Sequence, residues 1–435
     1  MFVYNTFRPD IRVLKEAQSL AKAGWSVKIL ALAEKGAPHT EEFDGVIVHR
    51  LSRSGAMSRR PPDAARFENA QLGSNGSRPM KAFVLITRRA KRMGLHLIRP
   101  LWRLQRFLGF YRACYRYARR APAHVYHAHD LNTLPAAWWC KRRIGGKLVY
   151  DAHELFTECS WQTGFSRKLW TLLERRLIRD CNRVITVCGS IADELLNRYG
   201  IDPPVVVRNC PLPPKTPISR HRSHLRNATG IRDDVPLILY HGGFLPNRGL
   251  RNLFKAVPHF DHGSLVMMGW GKMEAELRAL ADALKLNDRI HFLPPVPQED
   301  LIAWTASADI GIIPYRAVGL NNYYSCPNKL FEYVNAGLAV AGSAFPEIRK
   351  IIEEYDIGAT FDPEEPVDIA RALNYMLNDD HRLQQQKENA GRAAAVLNWH
   401  CEAEQLIDLY AGLDITENQK ASPADQESRV SSAST

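Results

Sequence analysis

Short apolar runs alternate with segments of helical periodicity along most of this chain, and no other feature constrains its fold as tightly. Apolar runs occupy 147–150, 183–187, 205–208, 237–241, 264–268, 289–293 and 310–313, with helical patterns such as 190–198, 273–284 and 366–377 among them. A run that is apolar on both faces suits a parallel strand covered by helices on each side. Strand–helix alternation of this kind predicts βα units and an α/β fold class.

The 435 residues are enough for two or three domains. Alternation breaks near Pro211, where a Pro-rich and then polar, basic stretch begins, and restarts at Pro236. This predicts a first domain at 1–212, a linker at 213–234 and a second domain at 235–398. Two such domains form a cleft, with ligands beyond the carboxyl ends of the strands. Residues 52–79 read as a long loop and 414–435 as a disordered tail. The first strand is short, which points to a start codon further upstream.

Composition excludes some classes. With 45% apolar and 24% charged residues the chain is neither disordered nor fibrous. No apolar run approaches the roughly 18 residues of a membrane span, and no secretory leader is visible at the start. Eight cysteines without a C-x-x-C pair predict neither a disulfide framework nor a zinc site, and point to a reducing cytosol. The net charge is +12, and residues 81–120 carry twelve Lys and Arg with no Asp or Glu, so the rest of the chain is balanced. Within this segment Leu101, Leu104, Phe107, Leu108, Tyr111, Cys114, Tyr115 and Ala118 share one helical face. Two readings fit: a core helix with a solvated basic face, or a segment that holds the protein on an anionic membrane surface. No recognition module accompanies the charge, so nucleic acid is not an expected partner.

Several polar clusters fall between a predicted strand and a predicted helix. Asp10, Arg12, Lys15 and Glu16 open the first helix. His127-Ala-His129-Asp130 and Asp151-Ala-His153-Glu154 end two successive strands. Hydrogen-bonded loop capping remains an alternative for both. His241-Gly242-Gly243 leads to Arg248-Gly249, where backbone amides and a guanidinium suit a phosphate. Gly269-Trp270-Gly271 reads as a tight turn. The stretch Pro327-Asn328-Lys329-Leu330-Phe331-Glu332-Tyr333 opens a helix on which Lys329 and Glu332 share a face. A lysine at a helix amino end suits a phosphate, and a carboxylate one turn later suits a ribose diol. A plain intrahelical ion pair is the alternative.

Taken in order, these motifs resemble the family 4 glycosyltransferases over about 1–51 and 121–412. The resemblance implies the GT-B fold, two Rossmann-like domains facing across a cleft, and retaining, metal-independent transfer from a nucleotide-sugar. It assigns Glu332 to the donor ribose, and Arg248 to the diphosphate where the family often has lysine. Lys329 and the amides near Asn328 assist, with Gly243 in the same donor-binding turn. His129 approaches the donor sugar from the first domain, and a last helix at 399–413 crosses back to brace that domain. Two positions depart from the family pattern. Tyr324 stands where the first glutamate of an E-x7-E pair is frequent, and Gly243 where many members carry arginine. Asn321–Tyr324 contacting the sugar in a different way accounts for the first. No cofactor or metal is expected. The expected partners are a nucleotide-sugar, a glycan or lipid-linked acceptor and an anionic membrane reached through 81–120. The expected place is the cytoplasm or the inner membrane face, in envelope or extracellular polysaccharide or glycolipid assembly. A non-catalytic nucleotide-sugar-binding partner protein and a GT-B sugar-nucleotide epimerase remain as alternatives.

Overall fold

The computed structural model describes residues 1–8, 10–52, 105–162, 164–213 and 223–413. The predicted loop beyond Ser52, residues 81–104 of the basic segment, part of the predicted linker and the predicted tail lie outside them.

The first domain holds strands β1 (Val27–Leu32), β2 (Thr40–Phe43), β3 (Val46–Leu51), β4 (Val125–His129), β5 (Lys147–Ala152), β6 (Arg183–Thr186) and β7 (Val205–Val206). Its helices are α1 (Ile11–Lys22), α2 (105–120), α3 (Leu134–Ile144), α4 (Gly164–Leu177) and α5 (Gly189–Tyr199). β4, β5, β6 and β7 pair in that order, all parallel. β1, β3 and β2 form a second group, which Phe2 joins to the first by bridging Leu30 and Ala128. One pairing departs from the all-parallel expectation: β2 and β3 are antiparallel. Asp44 and Gly45 turn between them with φ of 48° and 84°, as a two-residue hairpin requires.

The second domain follows the alternation closely. Its strands are β8 (Leu237–Gly243), β9 (Ser264–Trp270), β10 (Ile290–Leu293), β11 (Ile310–Ile313), β12 (Ala339–Ser343) and β13 (Gly358–Phe361). They form one parallel sheet ordered β10-β9-β8-β11-β12-β13. Helices α6 (Ser223–Thr229), α7 (Leu250–Ala256), α8 (Glu274–Ala283), α9 (Leu301–Thr305), α10 (Leu320–Tyr323), α11 (Asn328–Asn335), α12 (Pro346–Tyr355), α13 (Pro366–Leu377) and α14 (Asp380–Ala393) connect and cover it. Along β8, Ile238 and Tyr240 enter one core cluster while Leu237 and Leu239 enter the other. Both faces are dry, which is why the strand reads as continuously apolar.

The chain recrosses at α15 (Trp399–Ala411). Trp399 donates its amide to the Pro211 carbonyl at 2.9 Å and its indole N–H to Ser19 at 3.0 Å. Leu406, Leu409 and Tyr410 pack into the first domain's core beside α1. The described part of the basic segment, α2, is a core helix: Phe110, Tyr111, Cys114 and Ala118 are buried and its arginines are exposed. Of the apolar stripe over these residues, Tyr111, Cys114 and Ala118 belong to the protein's own core, and Leu108 stays exposed.

Candidate active site

A cleft of about 550 Å³ lies between the carboxyl ends of the two sheets. The second domain supplies its cations. Tyr315, buried just after β11, holds both: the Arg248 guanidinium stacks 4.0 Å from its ring centroid and Lys329 Nζ donates to its hydroxyl at 3.2 Å. Arg248 arrives on a turn that requires glycine next to it. Gly249 has φ of 68°, and a Cβ there would meet the Pro314 carbonyl oxygen at 1.7 Å. The Arg248 Nε is buried without a hydrogen-bond partner among the described residues.

α11 begins at the cleft wall, its first residues being Asn328 and Lys329. Glu332, one turn on, lines the same cleft, with Oε2 3.5 Å from His241 Nε2. Burial raises the Glu332 carboxyl above the usual range, against the pull of Lys329 and Lys15. Burial, with Lys329 nearby, lowers His241 to about 3, so its ring is neutral. Arg248, Asn328, Lys329 and Glu332 are thus brought together. Gly243 is not on the cleft wall. Its neighbour Gly242 is, with φ of 109°, and a Cβ there would lie 2.9 Å from Lys329 Nζ. The close backbone approach belongs to Gly242.

In the first domain His129 does not line the cleft. His127 and His129 share one side of β4 and are both buried. The His127 ring lies 2.7 Å from the Tyr410 hydroxyl through Nδ1. His129 Nδ1 lies 3.2 Å from His153 Nε2, and its own Nε2 has no partner among the described residues. His153, one residue past β5, stands on the cleft wall instead. Two consecutive inward positions on a central strand face the core, whereas a residue beyond a strand end overhangs the cleft.

Beneath His153 lies a buried charge network. Arg12 donates to both carboxylate oxygens of Asp151 at 3.0 and 3.1 Å and pairs with Glu16 at 2.9 Å. His153 Nε2 is 3.0 Å from Asp151, and its Nδ1 is 3.6 Å from Asp130. Burial opposes a charge on His153, but Asp130 and Asp151 outweigh it and raise the ring to about 9. Burial, reinforced by Asp151, raises Glu16 to about 8. Lys15 donates to Asn209 at 3.1 Å and to the Cys210 carbonyl. Burial, with Arg12 close by, lowers it to about 8. Glu16, His129, Asp151 and His153 lie close enough to share a metal ion. The Arg12 guanidinium already supplies a cation to both carboxylates.

Residues 321–324 divide. Asn321 and Asn322 line the cleft. Asn321 accepts from the Leu155 amide at 2.9 Å and donates to Glu154 at 3.2 Å, so it clips the two domains together. Tyr324 turns away: its ring packs against the first domain's core, and its carbonyl accepts from Cys188 Sγ at 3.2 Å. Glu154 and Glu332 are the carboxylates on the cleft wall among the described residues. Sequence reasoning gave Glu154 no role. Its only signal was its place just past a strand end, in the same cluster as His153.

Comparison with known proteins agrees with this architecture. Residues 9–211 match the family "Glycosyl transferase 4-like domain" and residues 221–393 match "Glycosyl transferases group 1". A D-inositol 3-phosphate glycosyltransferase from Thermomonospora curvata is 24% identical over 70% of this chain and 75% of its own length. Its counterpart from Xylanimonas cellulosilytica is 27% identical over 67% and 74%. The fold is shared with a sucrose-phosphate synthase from Thermosynechococcus elongatus, with a TM-score of 0.69 at 19% identity over 93% of this chain and 92% of that one. It is also shared with HepE from Anabaena, solved with UDP-glucose, with a TM-score of 0.66 at 14% identity over 94% and 98%. The chain belongs to family 4 of the glycosyltransferases and is built on their GT-B fold.

Proposed function

We propose that this glycosyltransferase moves a sugar from a nucleotide-sugar to an acceptor hydroxyl with retention and without a divalent cation. The observation that carries this reading is the pairing of Arg248 and Lys329 on Tyr315, one helical turn from Glu332. Two cations side by side suit a diphosphate, and a carboxylate beside them suits a ribose diol.

In this reading Glu332 accepts from the ribose hydroxyls, while Arg248, Lys329 and the amides opening α11 face the diphosphate. The bond from the anomeric carbon to the diphosphate breaks, and the acceptor oxygen bonds to the same face of that carbon. The acceptor proton passes to the departing phosphate oxygen, whose growing charge the two cations stabilise. The charged His153 and the carboxylate of Glu154 stand opposite, where the sugar lies. Asn321 orients Glu154, which supplies the acidic contact that Tyr324 does not.

The acceptor in this proposal is a glycan or lipid-linked hydroxyl, used at the cytoplasmic face of a membrane in envelope polysaccharide or glycolipid assembly. A fold neighbour described as a glycosyltransferase involved in lipopolysaccharide biosynthesis supports that setting (TM-score 0.63). The test is thermal protection by a panel of UDP-, GDP- and ADP-sugars, beginning with UDP-glucose because HepE was solved with it. One nucleotide class raises the melting temperature, and NMR of the product shows the donor's anomeric configuration retained. Turnover persists in EDTA. Loss of activity on chelation, restored by magnesium or manganese, overturns the metal-free reading, and an inverted product overturns retention.

A further inference from the structure

α4 carries a row of large apolar side chains facing outward. Phe165 is 80% exposed, Leu172 66% and Leu169 41%, and Trp161 just before the helix is 60% exposed. Phe165, Leu169 and Leu172 follow spacings of four and three, which place them on one helical face. Trp161 continues the row to the cleft, whose wall it forms in part.

The helix cannot roll to hide this row. On its opposite side the buried Glu174 accepts hydrogen bonds from Tyr150 at 2.8 Å and Tyr199 at 2.6 Å. Trp170 meets Phe107 of α2 edge-on at 5.5 Å and Phe156 at 5.3 Å. Leu173 and Leu177 enter the same core. The inward face is therefore fixed by specific partners, and the outward face is set by it.

Cations outnumber acids beside the row, where Arg167 pairs with Glu158. Lys168, Arg175 and Arg176 are exposed, Arg176 lying 3.4 Å from Asp180 at the helix end. Glu174, the one carboxylate of α4, points inward. The adjoining α2 has exposed arginines and no acidic residue. An apolar face bordered by cations is the pattern of a helix that lies in a bilayer interface, its apolar side chains among acyl chains and its cations among anionic headgroups.

We propose that this face of α4 docks on an anionic lipid bilayer, with Phe165, Leu169 and Leu172 inserted and Trp161 bringing the cleft mouth to the headgroups. Docking is independent of the transfer chemistry. It gives the enzyme direct access to an acceptor whose lipid part stays in the membrane.

Flotation of the full chain with vesicles tests this. Vesicles of phosphatidylglycerol and phosphatidylcholine carry the protein upward at low salt, and pure phosphatidylcholine vesicles carry at least about tenfold less. F165S/L172S lowers partition to the anionic vesicles by about tenfold or more while its melting temperature holds. Brominated lipid quenches tryptophan fluorescence in the wild type, and W161F loses most of that quenching. Three results overturn the proposal. One is no flotation with anionic vesicles. Another is flotation that F165S/L172S leaves unchanged, which assigns binding to a different surface. The third is a dimer in sedimentation velocity that F165S/L172S dissolves without any lipid binding, which makes the occupant a second copy of the chain.

Discussion

Glu332 is the residue on which the donor reading turns. It is mostly buried, shares the cleft wall with Lys329, and has neutral His241 at 3.5 Å. A hydrogen bond to a charged group contributes roughly 1.5–3 kcal/mol. Glu332→Ala therefore weakens nucleotide-sugar binding about ten- to a hundred-fold, measured by calorimetry on protein whose melting temperature is unchanged. Equal donor affinity in the folded variant removes the ribose assignment. His153 offers a pH test. Histidine in the unfolded chain titrates near 6.5, and in the fold Asp130 and Asp151 raise it to about 9 despite burial. Between these values the native state holds a proton that the unfolded state has released. The stabilisation is complete below pH 6.5 and is lost as pH rises through 9. The melting-temperature difference between the wild type and His153→Gln is thus largest below pH 6.5 and shrinks towards pH 9; a constant difference contradicts the charged ring. The sequence marked both histidine clusters and favoured the first, with His129. Strand parity buries His127 and His129 together, and only the end of β5, fixed by pairing with β4 and β6, tells that His153 overhangs the cleft. Arg248, Lys329 and Glu332 were legible because a turn and a single helix, all local in sequence, set their spacing.

At the scale of elements, α4 depends on one buried carboxylate. Glu174 joins Tyr150 of β5 and Tyr199 of α5 to the helix, and its replacement strands two buried hydroxyls. Each unsatisfied group costs about 1–3 kcal/mol. Glu174→Ala is expected to destabilise the protein by on the order of 3 kcal/mol in urea unfolding, and Glu174→Gln, which keeps an acceptor, by less. A change under about 0.5 kcal/mol for the alanine variant would show that the helix is held by its apolar contacts alone. The elements themselves were largely readable. The central strands β8, β9 and β11 of the second domain are covered on both faces, so their apolar runs stand out, whereas β12 and β13 were not among the expected strands. β2 and β3 were missed: their alternate residues are exposed or half-buried, and the Asp44-Gly45 turn was the available signal. α4 was missed as well, because a helix with an exposed apolar face has the periodicity of one whose apolar face is buried. Exposure depends on which side Glu174 anchors, and its partners lie 24 and 25 residues away in the chain.

The whole molecule is two domains joined where the chain crosses twice, side by side, at Pro211 and Trp399. Across the cleft Asn321 makes two bonds to Leu155 and Glu154, and Glu347 of α12 accepts one from the Ser190 amide of α5 at 2.6 Å. Cys188 to the Tyr324 carbonyl and Asn209 to Asn328 add two more. The three made by Asn321 and Glu347 sit far from the crossing point in sequence and act on the same separation of the domains. A hydrogen bond contributes about 1 kcal/mol net, so together they bias the closed arrangement by about 3 kcal/mol, a factor of about a hundred. The double variant Asn321→Ala/Glu347→Ala shifts the ligand-free protein towards an open form. Small-angle X-ray scattering then records a larger radius of gyration, and a saturating donor, which in the proposed reading touches both walls, restores the compact value. The donor KM rises because part of the binding energy goes into closure. Each domain keeps its own core, so the unfolding midpoint moves far less than the scattering does. An unchanged scattering profile in the double variant would mean that α15, the crossing segments and the two remaining bonds fix the angle between the domains. The cleft would then be a preformed groove that the donor enters without any movement of the walls.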